Sequence, residues 1–467
     1  MKPIVFLIGA LLMSARAWAE LPPEVSRALK IAEIPETSVA VYVQSVGDEA
    51  IVLSHNADQS MNPASVMKLV TTNAALELLT PAYRWKTELY RHGSVENGVL
   101  QGDLIIKGYG DPSFKTQDFT WMLTRLQQAG IRSVQGDLVL DKVYFESNID
   151  KPDFFDDDIW RSYNAMPSAF LVNARSTSFR FEVIDNVPIV HQEFELPEIK
   201  IINQLKLADN GCGAWRSHLK YEVQASEIAA TVTFSGTLPT GCGEKYLELS
   251  LFNDDRYAYF IFKKLWKSLD GGFKGQLKVA ETPDAAVKLL EHHSESLGYV
   301  VRDINKWSHN LMARQLLLTI AAERMGAPAS VQKGDDAIRQ WLRAKDLRFN
   351  ELVVDNGSGL SRKARISAEH LGQMLVKAFS EATMPEFVAS LPILSKDGTV
   401  MGRLRDTKSS GRAHLKTGSL NGVSAIAGYV VDNKGRRQVV VMLVNHANAA
   451  ESRPAQDALV AWVGAQL

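Results

Sequence analysis

The sequence predicts an α/β protein in which a long β-rich insertion divides one domain. Strands and helices follow one another near the N-terminus, and helices, two strong strands and a last helix occupy the C-terminal part. Between about 83 and 278 the pattern changes to short alternating strands bounded by turn residues. Two distant parts of the chain are therefore expected to form one α/β domain around the insertion.

Apolar periodicity assigns the individual elements. Before the insertion it predicts a helix over 23–32, strands over 38–43 and 50–54, and a helix between Asn62 and Pro81. Within the insertion it predicts helices over 119–129 and 256–269 and strands over 104–107, 138–141, 178–183, 221–223, 230–236 and 246–252. Beyond it, we expect helices over 283–293, 311–324, 335–345, 367–379 and 454–465 and a hairpin of strands 422–431 and 438–445.

Length and composition are those of a globular protein with more than one core. The chain has 467 residues, of which 46% are apolar and 22% are charged, so two or three domains are expected. A formal net charge of −1 provides no basic field for nucleic acid, and we expect no nucleic-acid partner.

The N-terminus has the pattern of a secretory signal peptide. Lys2 gives a positive start, the apolar stretch 4–13 is too short to span a membrane, and 17–19 read Ala-Trp-Ala, a cleavage site. Residues 1–19 are therefore expected to be removed, which leaves an exported chain that begins at Glu20 and has no transmembrane segment. An uncleaved membrane anchor is the alternative.

The two cysteines, Cys212 and Cys242, each lie between two glycines. In an exported protein such a pair suggests a disulfide, which would stabilise the fold by about 3–4 kcal/mol for a loop of this length. Two thiols with no nearby histidine make an incomplete metal site, so neither a metal nor a cofactor is expected.

Ser65 and Lys68 form the most informative pair in the chain. Asn62 as N-cap and Pro63 as the first helical residue place them at the start of an apolar helix that should be buried. Three residues rise about 4.5 Å and return to nearly the same helix face, so hydroxyl and amine can meet. Burial favours a neutral amine, which could take a proton from the serine.

Ser-x-x-Lys alone is weak evidence, because it recurs at Ser217 and Ser330. Two further motifs follow it. Ser308-His309-Asn310 precedes the helix 311–324, although serine and asparagine are also common helix caps. Lys416-Thr417-Gly418-Ser419 lies on an expected strand before the C-terminal hairpin. A lysine beside a glycine there suits close approach of a substrate backbone and a carboxylate; a plain turn is the alternative.

In this order the three motifs resemble those of the active-site serine penicillin-recognising enzymes. More than half of the chain separates Ser65 from Ser308, and such a long insertion resembles the D-alanyl-D-alanine carboxypeptidase/endopeptidase family, the class C low-molecular-mass penicillin-binding proteins. The matching stretches are 107–112, 163–169, 357–362 and 415–423. The resemblance covers essentially the whole mature chain.

The resemblance implies a serine β-lactamase/DD-transpeptidase-like fold, an antiparallel sheet with helices, whose insertion forms two smaller β-rich domains. After the signal peptide at 1–19, the DD-peptidase domain would comprise 20–85 and 276–467. The inserted domain would comprise 86–171 and 253–275, with a nested β-rich domain at 172–252.

The resemblance also implies the catalytic roles. Ser65 would be the nucleophile that forms an acyl-enzyme, with Lys68 as its base. Ser308 would relay a proton to the leaving amine, and Asn310 would hold the substrate peptide. Lys416 would steer the terminal carboxylate and tune the serine relay.

Other residues would bind the substrate. The N–H groups of Ser65 and Ser419 would form an oxyanion hole, in which one donor is typically worth about 10²–10³ in rate. The remaining contacts on this strand would come from Thr417, Gly418 and Asn421, the last in place of a longer glutamine.

Asp158 and Arg362 correspond to residues that recognise the polar end of the substrate's diamino acid in relatives, and Tyr163 matches an aromatic wall. Asp156 and Asp157 adjoin Asp158, so which carboxylate meets the substrate stays open, and a solvated acidic face is the alternative. Asn356 stands where the family often has an aspartate.

The sequence therefore predicts a periplasmic serine DD-peptidase. It would remove terminal D-Ala from peptidoglycan stem peptides, cleave D-Ala–diaminopimelate cross-links and be acylated by β-lactams. A β-lactamase is a second hypothesis, which the missing Tyr-x-Asn motif and the length of the insertion disfavour. A catalytically silent protein that binds the cell wall is the third.

Overall fold

The computed structural model describes residues 20–47, 50–147, 158–209 and 211–465. The predicted signal peptide at 1–19 lies outside these ranges. Within them, no helix combines the length and the apolar character that a membrane span requires.

The α-helices of the described residues are numbered in chain order. They are α1 (Pro23–Ile31), α2 (Lys68–Leu79), α3 (Thr116–Gln128), α4 (Trp215–His218), α5 (Asp254–Ser268), α6 (Leu297–Trp307), α7 (Asn310–Met325), α8 (Val331–Arg343), α9 (Ala368–Phe379), α10 (Met384–Ser390) and α11 (Arg453–Gly464).

The β-strands are numbered in the same way. They are β1 (Val39–Ser45), β2 (Ile51–His55), β3 (Arg84–Glu96), β4 (Val99–Gly108), β5 (Ser133–Val134), β6 (Leu138–Asp141), β7 (Thr177–Ile184), β8 (Val187–Gln192), β9 (Ile199–Asn203), β10 (Lys206–Ala208), β11 (Leu219–Ala225), β12 (Ala230–Pro239), β13 (Lys245–Leu249), β14 (Gly272–Phe273), β15 (Leu277–Val279), β16 (Val287–Ser296), β17 (Ala413–Leu420), β18 (Val423–Val431) and β19 (Arg437–Asn445).

One antiparallel sheet unites the two ends of the chain. Its order is β17-β18-β19-β1-β2, so that β1 from the N-terminal part lies beside β19 from the C-terminal part. In this register Val39 faces Val444 and Ser45 faces Gln438. The prediction of an α/β fold with an antiparallel sheet assembled from both ends is confirmed.

Both faces of this sheet are covered by helices. Ala40 and Tyr42 pack into a core with α2, α6, α7, α8 and α9, whereas Val39, Val41 and Val43 pack into a second core with α1 and α11. Side chains alternate between the faces of a strand, so a strand buried on both faces needs apolar residues at nearly every position. The continuous apolar character of β1, β18 and β19 follows from this.

The described residues of the insertion, together with the following strand β16, form three further sheets. A mixed seven-stranded sheet has the order β14-β5-β4-β3-β16, in which β6 also pairs with β4 and β15 pairs with β6. Two smaller sheets, β13-β7-β8 and β10-β12-β11 with β9 on β12, follow. Phe119 of α3 and Phe262 of α5 share one apolar cluster with Phe179 of β7 and Phe234 of β12. The boundaries of the inserted and nested domains stay a prediction.

The helix predicted over 283–293 is wrong. Residues in this range belong to strand β16, which pairs antiparallel with β3 so that Leu290 faces Leu89 and Glu291 faces Glu88. The local sequence is rich in Ala, Lys, Leu and Glu, which favour helices, but the hydrogen bonds to β3 outweigh this weak preference. The Lys288 ammonium also donates a hydrogen bond to Glu88 across the pair, at 2.8 Å.

The predicted disulfide between Cys212 and Cys242 is confirmed, with a Cα–Cα distance of 5.4 Å and a sequence separation of 30 residues. It joins the segment that follows β10 to the segment that follows β12. The bond therefore closes a loop that contains β11 and β12.

Replacing both cysteines by alanine is expected to lower the free energy of unfolding by about 3–4 kcal/mol, because the unfolded chain gains the entropy of an open loop. Urea denaturation of oxidised wild type and variant measures the difference. Wild type treated with a reductant is the control and should lose the same stability, whereas the variant should not respond. Equal stability of oxidised wild type and variant would contradict this expectation.

Candidate active site

Ser65 lies in a 3-10 turn, Ala64–Met67, that leads directly into α2. Asn62 accepts a hydrogen bond from the Ala64 N–H through its side-chain oxygen at 2.9 Å. The predicted positions are wrong by one residue, because Pro63 and not Asn62 is the N-cap of this turn, and Ala64 and not Pro63 is its first residue. The α-helix itself begins only at Lys68, later than the predicted start at Pro63. Ala64 has a φ of +45°, a left-handed conformation that costs energy for a residue with a Cβ and is typical of functional sites.

Lys68 is fully buried and contacts three oxygen atoms. Its Nζ lies 3.0 Å from Ser65 Oγ, 2.6 Å from Asn310 Oδ1 and 2.6 Å from the carbonyl oxygen of Ser358. The side-chain oxygen of Asn310 and the carbonyl of Ser358 can only accept hydrogen bonds. A neutral amine has two N–H groups and one lone pair, so these two acceptors leave the lone pair for the Ser65 hydroxyl.

The surroundings of Lys68 favour this neutral amine. Burial lowers its pKa well below the ordinary value, and the positive charges of Lys416 and Arg314 lower it further. Arg314 lies on α7, one turn after Asn310. The helix that provides an acceptor for Lys68 therefore also carries a charge that disfavours its protonation.

Lys416 on β17 is likewise fully buried and lies beside Ser308. Its Nζ donates to Ser308 Oγ at 2.8 Å and to the carbonyl oxygen of Thr417 at 2.8 Å. Burial lowers the pKa of Lys416 to about 7. Ser308 occupies the junction of α6 and α7 with φ +60° and ψ +41°, and this left-handed junction separates the two helices.

The turn 356–360 contains the Ser358 carbonyl oxygen that Lys68 contacts. Asn356 accepts hydrogen bonds from the Ser358 N–H at 3.0 Å and hydroxyl at 2.7 Å, and it donates to the Leu360 carbonyl at 2.9 Å. An ionised aspartate could not make the last of these bonds. Sequence reasoning noted the stretch 357–362 but missed the Ser358 carbonyl, because a backbone acceptor leaves no residue-type signal.

Strand β17 passes directly beside Ser65. A Cβ on Gly418 would lie 2.8 Å from the Ser65 nitrogen, so only glycine permits this approach. The Leu415 N–H donates to the Pro392 carbonyl, on the side away from β18. Backbone groups alternate along a strand, so those of Thr417 and Ser419 face the same outer edge. The N–H groups of Ser65 and Ser419 thus belong to neighbouring segments.

The sequence matches the D-Ala-D-Ala carboxypeptidase 3 (S13) family over residues 22–466. The chain belongs to this family. It is a serine-type D-Ala-D-Ala carboxypeptidase, and the arrangement around Ser65 is its candidate active site.

Alignments with curated relatives cover most of this carboxypeptidase. D-alanyl-D-alanine carboxypeptidase DacB of Haemophilus influenzae is 26% identical over 428 residues, which cover 88% of this chain and 86% of that protein. D-alanyl-D-alanine carboxypeptidase of Actinomadura sp. strain R39 is 28% identical over 438 residues, covering 91% and 80%. The crystal structure of penicillin binding protein 4 (dacB) from Haemophilus influenzae shares the fold, with a TM-score of 0.77, 24% identity and coverage of 93% and 99%.

The predicted substrate-binding residues make further contacts. Arg362 donates to the carbonyl oxygen of Asn421 at 2.6 Å, beyond the Ser419 end of β17. Thr417, near the other end of the Lys416–Ser419 motif, donates a hydrogen bond from its hydroxyl to the Thr399 hydroxyl at 2.8 Å. The structure therefore joins Arg362 and Asn421, which are distant in sequence.

Asp158 and Tyr163 belong to a segment beside α7. The Asp158 carboxylate accepts a hydrogen bond from the Tyr221 hydroxyl, and the Arg161 guanidinium lies 5.4 Å from the centre of the Tyr163 ring. The carbonyl oxygen of Ala165 accepts from Arg314 at 3.4 Å, which ties this segment to the helix of Asn310. Asp156 and Asp157 lie outside the described residues.

Gly359→Ala is expected to lower kcat/KM for D-Ala release about 100-fold, because small displacements of catalytic groups have effects of this size. The new Cβ would lie 1.9 Å from the Ala64 carbonyl oxygen, at a φ of +73°, and would push away the turn that carries Ser65. Gly213→Ala is the control, since nothing lies within 4 Å of its Cβ. If folded Gly359→Ala enzyme had wild-type activity, this would contradict the close approach of Gly359 to the Ala64 carbonyl oxygen.

Proposed function

We propose that this carboxypeptidase is an exported DD-peptidase that releases the terminal D-Ala of peptidoglycan stem peptides through an acyl-enzyme on Ser65. The contacts of Lys68 carry the proposal. In the neutral amine, two oxygen atoms that can only accept would take both N–H groups of Lys68, which leaves its lone pair for Ser65 Oγ at 3.0 Å. A base in this position activates a serine nucleophile.

In the acylation step Ser65 Oγ attacks the carbonyl carbon of the penultimate D-Ala while Lys68 takes the hydroxyl proton. The carbonyl oxygen becomes an oxyanion that accepts hydrogen bonds from the N–H groups of Ser65 and Ser419. The C–N bond then breaks, and Ser308 relays to the leaving amine the proton that Lys68 took, which restores the neutral Lys68 amine. Lys416 supports this transfer, because its Nζ donates to Ser308 Oγ at 2.8 Å. Water later hydrolyses the ester.

The substrate would lie along the outer edge of β17. Its terminal carboxylate would bind near Lys416 and the hydroxyl groups of Thr417 and Ser419, with Gly418 allowing the close approach. Asn310 would hold the peptide beside Lys68. The N-terminal part of the stem peptide would extend toward Asn421 and Arg362, which lie beyond the other end of the motif.

The inserted segment would complete this binding site. Tyr163 would provide an aromatic wall, and Asp158 would meet the amino group at the polar end of the diamino acid. The hydrogen bond from Tyr221 fixes the Asp158 carboxylate, and the link from Ala165 to Arg314 connects this segment with the catalytic helix α7.

We further propose that β-lactams acylate Ser65. A β-lactam offers a reactive amide and a carboxylate, which match the Ser65 nucleophile and the Lys416 cation. Penicillin binding protein 4 (dacB) of Haemophilus influenzae has been crystallised in complex with a β-lactam. The predicted signal peptide supports export to the periplasm, where stem peptides occur.

Incubation with benzylpenicillin is expected to add one covalent adduct per chain at Ser65, detected by intact-mass and peptide-mass spectrometry. Ser65→Ala should lose both the adduct and D-Ala release from a stem pentapeptide. Ser217→Ala is the matched control, because Ser217 also belongs to a Ser-x-x-Lys sequence but is exposed. Affinity for muropeptides with neither an adduct nor D-Ala release would instead indicate a binding protein.

A bell-shaped pH dependence of kcat/KM for D-Ala release is expected, since this constant reports the groups of the free enzyme. On the acid side, protonation of Lys68, whose pKa is lowered by burial, removes the base. On the alkaline side, activity should fall above a pKa of about 7, as Lys416 loses the charge that attracts the carboxylate.

Lys416→Arg tests the alkaline limb, because a guanidinium stays charged throughout this range. Its activity should be lower, since the longer side chain fits the buried site poorly, but its alkaline limb should move to higher pH. An unchanged limb would assign that ionisation to a group other than Lys416.

A further inference from the structure

The stretch 107–112, which has no role in the acyl transfer proposed above, packs against the segment 163–169. The Gly110 N–H donates a hydrogen bond to the Ala169 carbonyl oxygen at 2.7 Å. A Cβ on Gly108 would lie 2.3 Å from the same oxygen, so a larger residue there would push the two segments apart. The two segments are therefore in direct backbone contact.

Gln315 of α7 binds both segments through its side chain, which is 0% exposed. Its Nε2 donates to the Gly110 carbonyl oxygen at 3.2 Å and to the Ser168 carbonyl oxygen at 2.8 Å. Its Oε1 accepts a hydrogen bond from the Ser168 N–H at 3.0 Å. Both N–H groups of the amide and its oxygen are thus used. Because these bonds end on backbone atoms, they fix the path of two segments of the chain.

Helix α7 also carries Asn310, and its first turns pack against the chain around Ala165. Leu311, the residue after Asn310, shares a buried apolar cluster with Ala165. The Ala165 carbonyl oxygen accepts a hydrogen bond from Arg314 at 3.4 Å. Gln315 follows Arg314, so its three hydrogen bonds continue this contact along the helix. The part of α7 that presents Asn310 is therefore fixed to this part of the insertion.

Toward the N-terminus, the segment 163–169 leads to Tyr163 and Asp158. The Asn164 side-chain amide donates to the Asp158 carbonyl oxygen at 3.0 Å, so the backbone of Asp158 is tied to the start of the segment. In the proposed function, Asp158 meets the amino group of the diamino acid and Tyr163 forms an aromatic wall. The position of both relative to Asn310 therefore depends on how the segment is held against α7.

We propose that Gln315 is a positioning residue for substrate recognition, because it holds the segment of Asp158 and Tyr163 at a fixed place beside Asn310. This inference rests on the proposed function and deepens it. Gln315 touches no substrate and takes no part in proton transfer. It acts only through the two backbone segments that it binds, so its loss should weaken recognition of the diamino acid and spare the acylation of Ser65.

The test compares two stem pentapeptides, one with a free amino group on the diamino acid and one with that group acetylated. Gln315→Met keeps the length of the side chain and removes its N–H groups. The ratio of kcat/KM for the free peptide to kcat/KM for the acetylated peptide is expected to fall roughly ten-fold, mainly through KM for the free peptide, because one hydrogen bond to a charged group has about this value. The rate of acylation by benzylpenicillin, which lacks a diamino acid, should stay nearly unchanged.

Gln456→Met is the matched control. Gln456 of α11 is also a buried glutamine, whose amide donates to the Ser424 hydroxyl at 2.9 Å and accepts from Arg403 at 3.2 Å. Its replacement removes buried hydrogen bonds of the same kind on another helix. The ratio should therefore stay at the wild-type value.

Two further variants separate positioning from a general loss of stability. Asp158→Asn should lower the ratio, and adding Gln315→Met to it should lower the ratio little further, since both changes weaken the same interaction. Gln315→Glu can keep both bonds to Ser168 as a buried protonated acid, so it should retain part of the ratio. If Gln315→Met does not fold, Gln315→Glu decides the question by the same ratio.

Several results would overturn the proposal. An unchanged ratio in folded Gln315→Met, or equal losses on both peptides, would mean that Gln315 only supports the fold. Full additivity of Gln315→Met and Asp158→Asn would mean that the two residues act separately. Wild-type enzyme that releases D-Ala without preference for the free amino group would refute this inference while D-Ala release stands. Absence of both D-Ala release and a penicillin adduct would refute the proposed function itself.

Discussion

The burial of two lysines in one cleft is the constraint on which the rest of the site depends. Lys68 and Lys416 are both 0% exposed, and burying an ammonium group without compensation is costly. Burial and the positive charges of Lys416 and Arg314 lower the pKa of Lys68, and burial brings that of Lys416 to about 7. Both shifts favour the neutral amine over the ammonium ion.

The fold provides this environment by bringing distant segments into close contact. The turn of Ser65, the turn of Ser358 and strand β17 approach so closely that Gly359 and Gly418 cannot carry a Cβ without collision. The central sheet fixes β17, and α2 and α7 pack against one face of that sheet. The apolar cores on both faces thus hold the polar contacts of Lys68 in register.

Local sequence predicted the elements whose apolar pattern and tertiary environment agree. The hairpin of β18 and β19 and the helices α2 and α7 have buried faces that match their periodicity. The segment 283–293 was predicted as a helix because its residues favour one, yet β3 binds it as strand β16. A hydrogen-bonding partner nearly 200 residues away leaves no trace in the local pattern.

By itself, the sequence determined the order and spacing of the three motifs, the apolar character of the helix after Ser65 and the pair of cysteines, because these depend on residue type and short-range geometry. Only the tertiary structure decided that the Ser358 carbonyl completes the surroundings of Lys68, that Arg362 meets Asn421 and that Lys416 is withdrawn from solvent. Backbone acceptors, contacts between distant segments and solvent exposure arise from packing, and packing is a property of the assembled chain.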